Sequence, residues 1–304
     1  MSEPGQALAR VQPTKLPTLR GPHYPTLRSL GVLFGVELVT IPLALAALNP
    51  MLAAMLPIGL FLSWMMWLRR EGHEVLQACN RGADLLDRGR LDEAELILED
   101  VLARRRVVTH LQPVAAYHRA RIDLYRGNLE GARARLEDVI ASGWFSPGRM
   151  LQALAPQVQS MLALCAALQG DLDEAEQVLE RGKAGPNSLD RWWYLPEAVI
   201  DLRRDRGAEF IDQVERSRDD IEATLSGRGL RQLQLLEAFA LAMLAEHEDN
   251  YRGMHSGADL EGLLHGVRPG SFDFMAERWP ELREFMSAHR LIRLERGEPG
   301  VTAG

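Results

Sequence analysis

From Leu30 to Leu68 the chain is apolar at almost every position, and Glu37 is the only ionisable side chain. From about residue 72 the pattern changes. Apolar residues then recur every three or four positions between charged ones, the period of helices buried on one face. Asn49-Pro50, a turn signal, divides the apolar block into 30–48 and 51–68. At the helical rise of 1.5 Å per residue each half spans roughly 27–28 Å, close to the hydrocarbon thickness of a bilayer. The pattern therefore predicts a transmembrane helical hairpin over 29–68. A cleaved signal peptide would have a shorter apolar core and a small-residue cleavage site. Helices of a soluble core would show a polar face, and these have almost none. A shallow hairpin held within one leaflet stays open as an alternative, because both halves are near the minimum spanning length.

A phrase repeated three times organises the helical part. It reads Gly-Arg-Leu-Asp-Glu-Ala-Glu at 89–95, Gly-Asn-Leu-Glu-Gly-Ala-Arg at 127–133 and Gly-Asp-Leu-Asp-Glu-Ala-Glu at 170–176. Take Gly89, Gly127 and Gly170 as zero. Position −7 is then small (Gly82, Ala120, Ala163), and −3 is Leu86, Leu124 or Ala167. Position +2 is leucine (Leu91, Leu129, Leu172), +5 alanine (Ala94, Ala132, Ala175) and +9 leucine (Leu98, Leu136, Leu179). Small residues at −7 and +5 let two helices cross closely, while the leucines fill the space around the crossing. The glycine supplies a left-handed turn that a Cβ would penalise. Acids at Asp92, Glu93, Glu130 and Asp171 begin the second helix, where its dipole favours them. Each phrase is the turn of a helical hairpin.

These spacings resemble the tetratricopeptide repeat family over about residues 72–186. The resemblance implies an all-α, helical-hairpin solenoid of three hairpins, here behind the two-helix membrane hairpin. The family's period is about 34 residues, whereas these glycines stand 38 and then 43 apart. They are divergent copies, with the extra residues at 104–113 and 141–156. By the resemblance, the first helices line a groove that binds peptides or helices of a protein partner. The residues facing it would be Asn80, Ala83 and Asp87 in the first hairpin. In the second they would be Tyr117, His118, Arg121 and Tyr125, and in the third Ser160, Leu164 and Leu168. The Lys, Asn and Arg clamp with which chaperone-binding members hold a terminal carboxylate is missing. The alternative is that these are ordinary solvated helix residues.

After Gly185-Pro186 the phrase disappears but helical periodicity continues over 190–205, 208–226 and 231–248. Phe210, Val214, Ile221 and Leu225 mark one face of the middle segment. From Leu235 to Ala245 only Glu237 is charged, a stretch too short to cross a bilayer and therefore a core helix. Residues 249–272 carry loop signals, and a final helix is expected from Trp279-Pro280 to about Leu291. Residues 187–304 are thus further helices, either degenerate repeats or a cap. Trp192-Trp193-Tyr194 is either packing between hairpins or an anchor for a partner. The Pro-rich basic tail 1–28 and the residues from Gly297 are expected to be disordered.

Charge sharpens this picture. Residues 69–304 hold 31 basic and 40 acidic side chains, which argues against nucleic acid as a ligand. Arg20 and Arg28 precede the apolar block, Arg69, Arg70 and Arg81 follow it, and the turn is uncharged. The positive-inside rule then puts both termini and the repeat domain on the cytoplasmic side of the inner membrane, with Trp64 and Trp67 at the interface. Glu37 would be an intramembrane acid, costing about 2.5–3.5 kcal/mol near a helix centre. Assembly into a homo-oligomer, or a proton relay, would account for it. Cys79 and Cys165 read as small buried hydrophobes in a reducing compartment. No phosphate-binding loop, nucleophile elbow or His-Glu-x-x-His motif occurs. His247, Asp249 and His255 lack metal-site spacing, and Glu215–Arg218 is an ordinary helix-face pair. No cofactor, metal or enzymatic activity is expected. The sequence reads as a membrane-anchored scaffold or adaptor for a protein partner. The alternative is an accessory or assembly subunit of a membrane channel or transporter, with Glu37 acting in the membrane.

Overall fold

The computed structural model describes residues 50–103, 111–185, 189, 192–225, 227–247 and 257–293, and all their regular elements are helical. The tail 1–28, the first apolar half 30–48, Glu37, Arg104–Arg106, Asp249 and His255 lie outside the described residues. The second apolar half differs from expectation. It does not end before the first hairpin; a single helix, α1, runs from Pro50 to Asp87. No helix-breaking signal stands between Leu68 and Gly72, so the helical pattern passes straight through. Among the described residues no helix is long and apolar enough to cross a membrane. The large apolar side chains Ile58, Phe61, Leu62, Met65, Met66 and Trp67 of α1 are nonetheless exposed.

The repeated phrase closes three hairpins. The last turns of α1 pair with α2 (Leu91–Ala103), α3 (Gln112–Tyr125) with α4 (Leu129–Ala141), and α5 (Ala155–Gln169) with α6 (Leu172–Lys183). Gly89, Gly127 and Gly170 have φ of 77°, 81° and 94°. In each turn the glycine N–H donates to the carbonyl three residues back and the next N–H to that four before the glycine, as in Gly127 to Leu124 and Asn128 to Asp123, both 2.9 Å. Those two bonds satisfy carbonyls that a helix end would otherwise leave unpaired. The small and leucine positions at −7, −3, +5 and +9 are all buried. At Gly82 a Cβ would press on Leu98, so the first crossing is tighter than alanine permits.

A fourth hairpin lacks the phrase. Helix α7 (Tyr194–Arg203) turns into α8 (Gly207–Arg216) at Asp205, whose φ is 59°. Asp205 N–H donates to Leu202 at 3.2 Å and Arg206 N–H to Asp201 at 2.8 Å, the same two bonds at the same offsets. Ala198, Leu202, Phe210 and Val214 occupy −7, −3, +5 and +9, all buried. The middle C-terminal segment is therefore not one helix over 208–226, because it breaks at Ser217 and resumes as α9 (Arg218–Thr224). After the break Arg218 meets Glu237, with Nη2 2.6 Å from Oε1. The expected Glu215–Arg218 pair gives way because buried Glu237 has more to lose without a partner than exposed Glu215. A fifth pair follows, α10 (Gly227–His247) with α11 (Gly257–Leu264). The expected loop 249–272 thus contains a helix.

Successive first helices pack side by side, and each also packs on the second helix of the hairpin before it. Arginines cross the joins. Arg126 reaches Asp92 and Glu95 at 2.6 Å, Arg133 reaches Asp171 at 2.8 Å and Glu174 at 2.5 Å, and Arg204 reaches Asp173 and Glu176 at 2.8 Å. Several acids of the phrase thus face the dipole and also bind a neighbouring hairpin. The chain then doubles back. A strap of a 3₁₀ turn (Asp273–Ala276) and α12 (Pro280–Ala288) returns from the fifth hairpin to the second. Phe274 meets the Tyr125 ring at 5.4 Å, Trp279 lies under Arg203 at 4.9 Å, and Arg278 pairs with Glu130.

Asp205 supplies the test of the fourth hairpin. An L-residue in the left-handed region is strained by roughly 1 kcal/mol relative to glycine, and a β-branched one by more. Asp205→Gly should raise stability in urea denaturation by up to about 1 kcal/mol, and Asp205→Val should lower it by about 1–2 kcal/mol. If both leave the midpoint unchanged, this turn is not closed as described.

Candidate partner-binding groove

A cavity of about 390 Å³ opens on the face where the first helices lie side by side. The register of the hairpins builds it. Tyr117, Ser160 and Leu195 stand ten residues before their turn residues, Arg121 and Leu164 six before, and Gln157 and Trp192 thirteen before. Asp87 and Tyr125 stand two before. Leu225, Arg228 and Gln232, from the end of α9 and the start of α10, form the opposite wall.

The structure brings together seven of the ten residues that the resemblance implied: Asp87, Tyr117, His118, Arg121, Tyr125, Ser160 and Leu164. Asn80 is exposed on α1 and does not line the cavity, because only the last turn of that helix reaches it. Ala83 is also outside the lining, and Leu168 is 1% exposed and belongs to the core. Sequence reasoning weighed Trp192 as a partner anchor without placing it in the groove, and it missed Leu195. Their signal was the offset from Asp205, which is hidden because that turn has no glycine. Arg228 and Gln232 carried no signal, since the fifth hairpin keeps nothing of the phrase. The tryptophan pair divides its roles. Trp193 is wholly buried against Gly182, while half-buried Trp192 faces the cavity.

Arg121 is the hub. Its Nη2 donates to Asp87 Oδ1 at 2.9 Å and to the Tyr125 hydroxyl at 3.3 Å, and Nη1 lies 3.5 Å from His118 Nδ1. Burial opposes its charge, but Tyr125, Tyr117 and the Asp87 carboxylate outweigh that, so its pKa lies above the ordinary value. His118 responds the other way. Burial, and then the Arg121 charge, push its pKa down to about 3. The imidazole is therefore neutral at physiological pH and presents an acceptor to Arg121. Arg228 lies 4.1 Å above the Tyr125 ring and 5.4 Å from that of Phe272, and its Nη2 donates to the Ser271 carbonyl at 3.0 Å. Tyr125 thus belongs at once to the cavity and to the seat of the strap. Burial raises the Tyr117 hydroxyl as well.

The two cysteines take no part. Burial pushes the Cys79 thiol up to about 11 and Cys165 up to about 12, so neither is a nucleophile at neutral pH. The arrangement offers shape, two cations, aromatic faces and hydrogen-bonding amides, which suits recognition.

Residues 117–188 match a family model described as tetratricopeptide repeat. The match covers the second and third hairpins and leaves the first, fourth and fifth outside it. No curated protein and no solved structure matches the chain.

His118 gives a pH signature. Below pH 6.5 the unfolded chain binds a proton there that the folded chain refuses until about pH 3. This contribution to stability is therefore full above pH 6.5 and falls as the pH drops toward 3, by up to about 1.4 kcal/mol per pH unit. Urea titrations between pH 7 and pH 4 should show a smaller acid loss for His118→Gln than for the parent chain. Equal losses would mean that the imidazole is solvated.

Proposed function

We propose that this chain is a membrane-anchored scaffold that holds a protein partner in the groove between its first helices, at the cytoplasmic membrane face. The observation that carries the reading is the cavity itself. Seven of the ten residues that the family resemblance implied line a single recess. The matched repeat family is a protein-interaction module. Aromatic and arginine side chains are the ones that most often carry interface energy, and Tyr117, Trp192, Arg121 and Arg228 stand together here.

Anchoring rests on the apolar block 30–68 and on the exposed apolar side chains of α1. Ile58, Leu62 and Met66 are 60%, 55% and 73% exposed, more than a chain bathed only in water leaves bare on neighbouring turns of one helix. Arginines on both sides of the block favour the cytoplasmic face for the repeat domain. No observation favours the alternative in which Glu37 works in an ion or proton pathway.

Two substitutions at Phe61→Asp and Met65→Asp in the full chain should release it from membranes, at a cost of about 2.5–3.5 kcal/mol per charge in the hydrocarbon. Retention in an alkali-washed membrane pellet would contradict the anchor. Partner capture from solubilised membranes should be lost on combining Tyr117→Ala with Arg121→Gln. If every specific partner stays bound, the groove is not where binding occurs.

A further inference from the structure

Two arginines in the cavity are incompletely used. The Nε–H groups of Arg121 and Arg228 are both buried and have no hydrogen-bond partner. A buried guanidinium donor without an acceptor is costly, so each of these groups calls for an acceptor that water or a ligand can supply. Arg203 and Arg206 also leave Nε unpaired. Neither lines the cavity; Arg203 rests on the Trp279 ring and Arg206 binds Asp201 at 2.6 Å.

The charges around the cavity point the same way. Its ionised lining residues are Arg121, Arg228 and a single acid, Asp87, while His118 is neutral. The two guanidinium carbons lie 5.8 and 4.1 Å from the centre of the same Tyr125 ring, so the two cations stand close together at one aromatic face. Asp87 bonds Arg121 and acts on Arg228 only through its charge, so two cations share one carboxylate and one positive charge is in excess. Around these cations the lining is largely apolar and aromatic, with Tyr117, Trp192, Leu195 and Leu225 among it.

We infer that the groove recognises an acidic side chain set among apolar residues of the docked protein segment, its carboxylate accepting from Arg121 and Arg228. A singly charged carboxylate balances the excess positive charge, whereas a doubly charged phosphate would overshoot it beside Asp87. The planar fork of a guanidinium matches two carboxylate oxygens. This inference rests on the groove being the partner site. It adds the chemistry of what enters.

The test uses the full chain in mild detergent and two probes, acetyl-Leu-Glu-Phe-amide and acetyl-Leu-Gln-Phe-amide, with binding measured by calorimetry. The glutamate probe should bind about tenfold or more tightly than its neutral twin, an advantage that shrinks as salt rises. Arg121→Gln and Arg228→Gln should remove that advantage. Because Arg228 also holds the strap, a second variant guards against misfolding. Asp87→Asn removes the one competing carboxylate and should raise the glutamate probe's affinity severalfold without changing the glutamine probe's. A misfolded protein cannot produce that gain. Measurable but equal binding of the two probes overturns the acidic specificity and leaves the groove standing. Binding of neither probe overturns both, as does an Asp87→Asn chain that treats the probes alike.

Discussion

The left-handed residue that ends the first helix of each of the first four hairpins is the constraint from which the rest of the architecture follows. At Gly89, Gly127, Gly170 and Asp205 one reversed φ lets the chain fold back within three residues while its N–H groups satisfy the carbonyls at the helix end. That tight reversal forces the paired helices to cross closely, which explains the buried small residues at −7. It also fixes the register of every first helix relative to its neighbours. Position −10 of the second, third and fourth hairpins and −6 of the second and third then face one recess. Exposed ion pairs such as Arg204–Asp173 add little each, about 0–1 kcal/mol. Their use lies in holding one hairpin in register on the next.

The stack does not leave its inner side wholly open. The C-terminal strap crosses from the fifth hairpin to the second and lays Phe274 on Tyr125 and Trp279 under Arg203. It ties together hairpins far apart in sequence, and the Arg278–Glu130 pair joins residues 148 positions apart. What remains accessible is the pocket bounded by Asp87, Arg121, Trp192 and Arg228. Strap and pocket share Tyr125 and Arg228, so occupation of one bears directly on the other.

Much of this was legible before any coordinates. Where glycine and alanine mark a turn and a crossing, the offsets carried the resemblance to the repeat family, and that resemblance implied Tyr117, His118 and Arg121 on the inner wall. Legibility failed where another residue performs the same geometric task. Asp tolerates the left-handed region well enough to close the fourth hairpin, and Phe210 fills with bulk what Ala94, Ala132 and Ala175 leave small. The fifth hairpin escaped notice because its second helix is only 8 residues long. Long-range partners were invisible for a different reason. Nothing local distinguishes Arg218 bonding Glu237 from Arg218 bonding Glu215; only burial decides it. The same holds for Trp192 and Trp193, adjacent in sequence but facing the cavity and the core respectively.

The central claim is that partner contact occurs inside this recess, and site-specific photocrosslinking in intact membranes tests it most directly. A photoreactive residue would replace Met161, which lines the cavity, and in a parallel chain Leu96, which is 75% exposed on α2. The account predicts one discrete crosslinked protein from position 161, absent from position 96, that disappears when Arg121→Gln is added. The same product from both positions, or one that survives loss of Arg121, would contradict it.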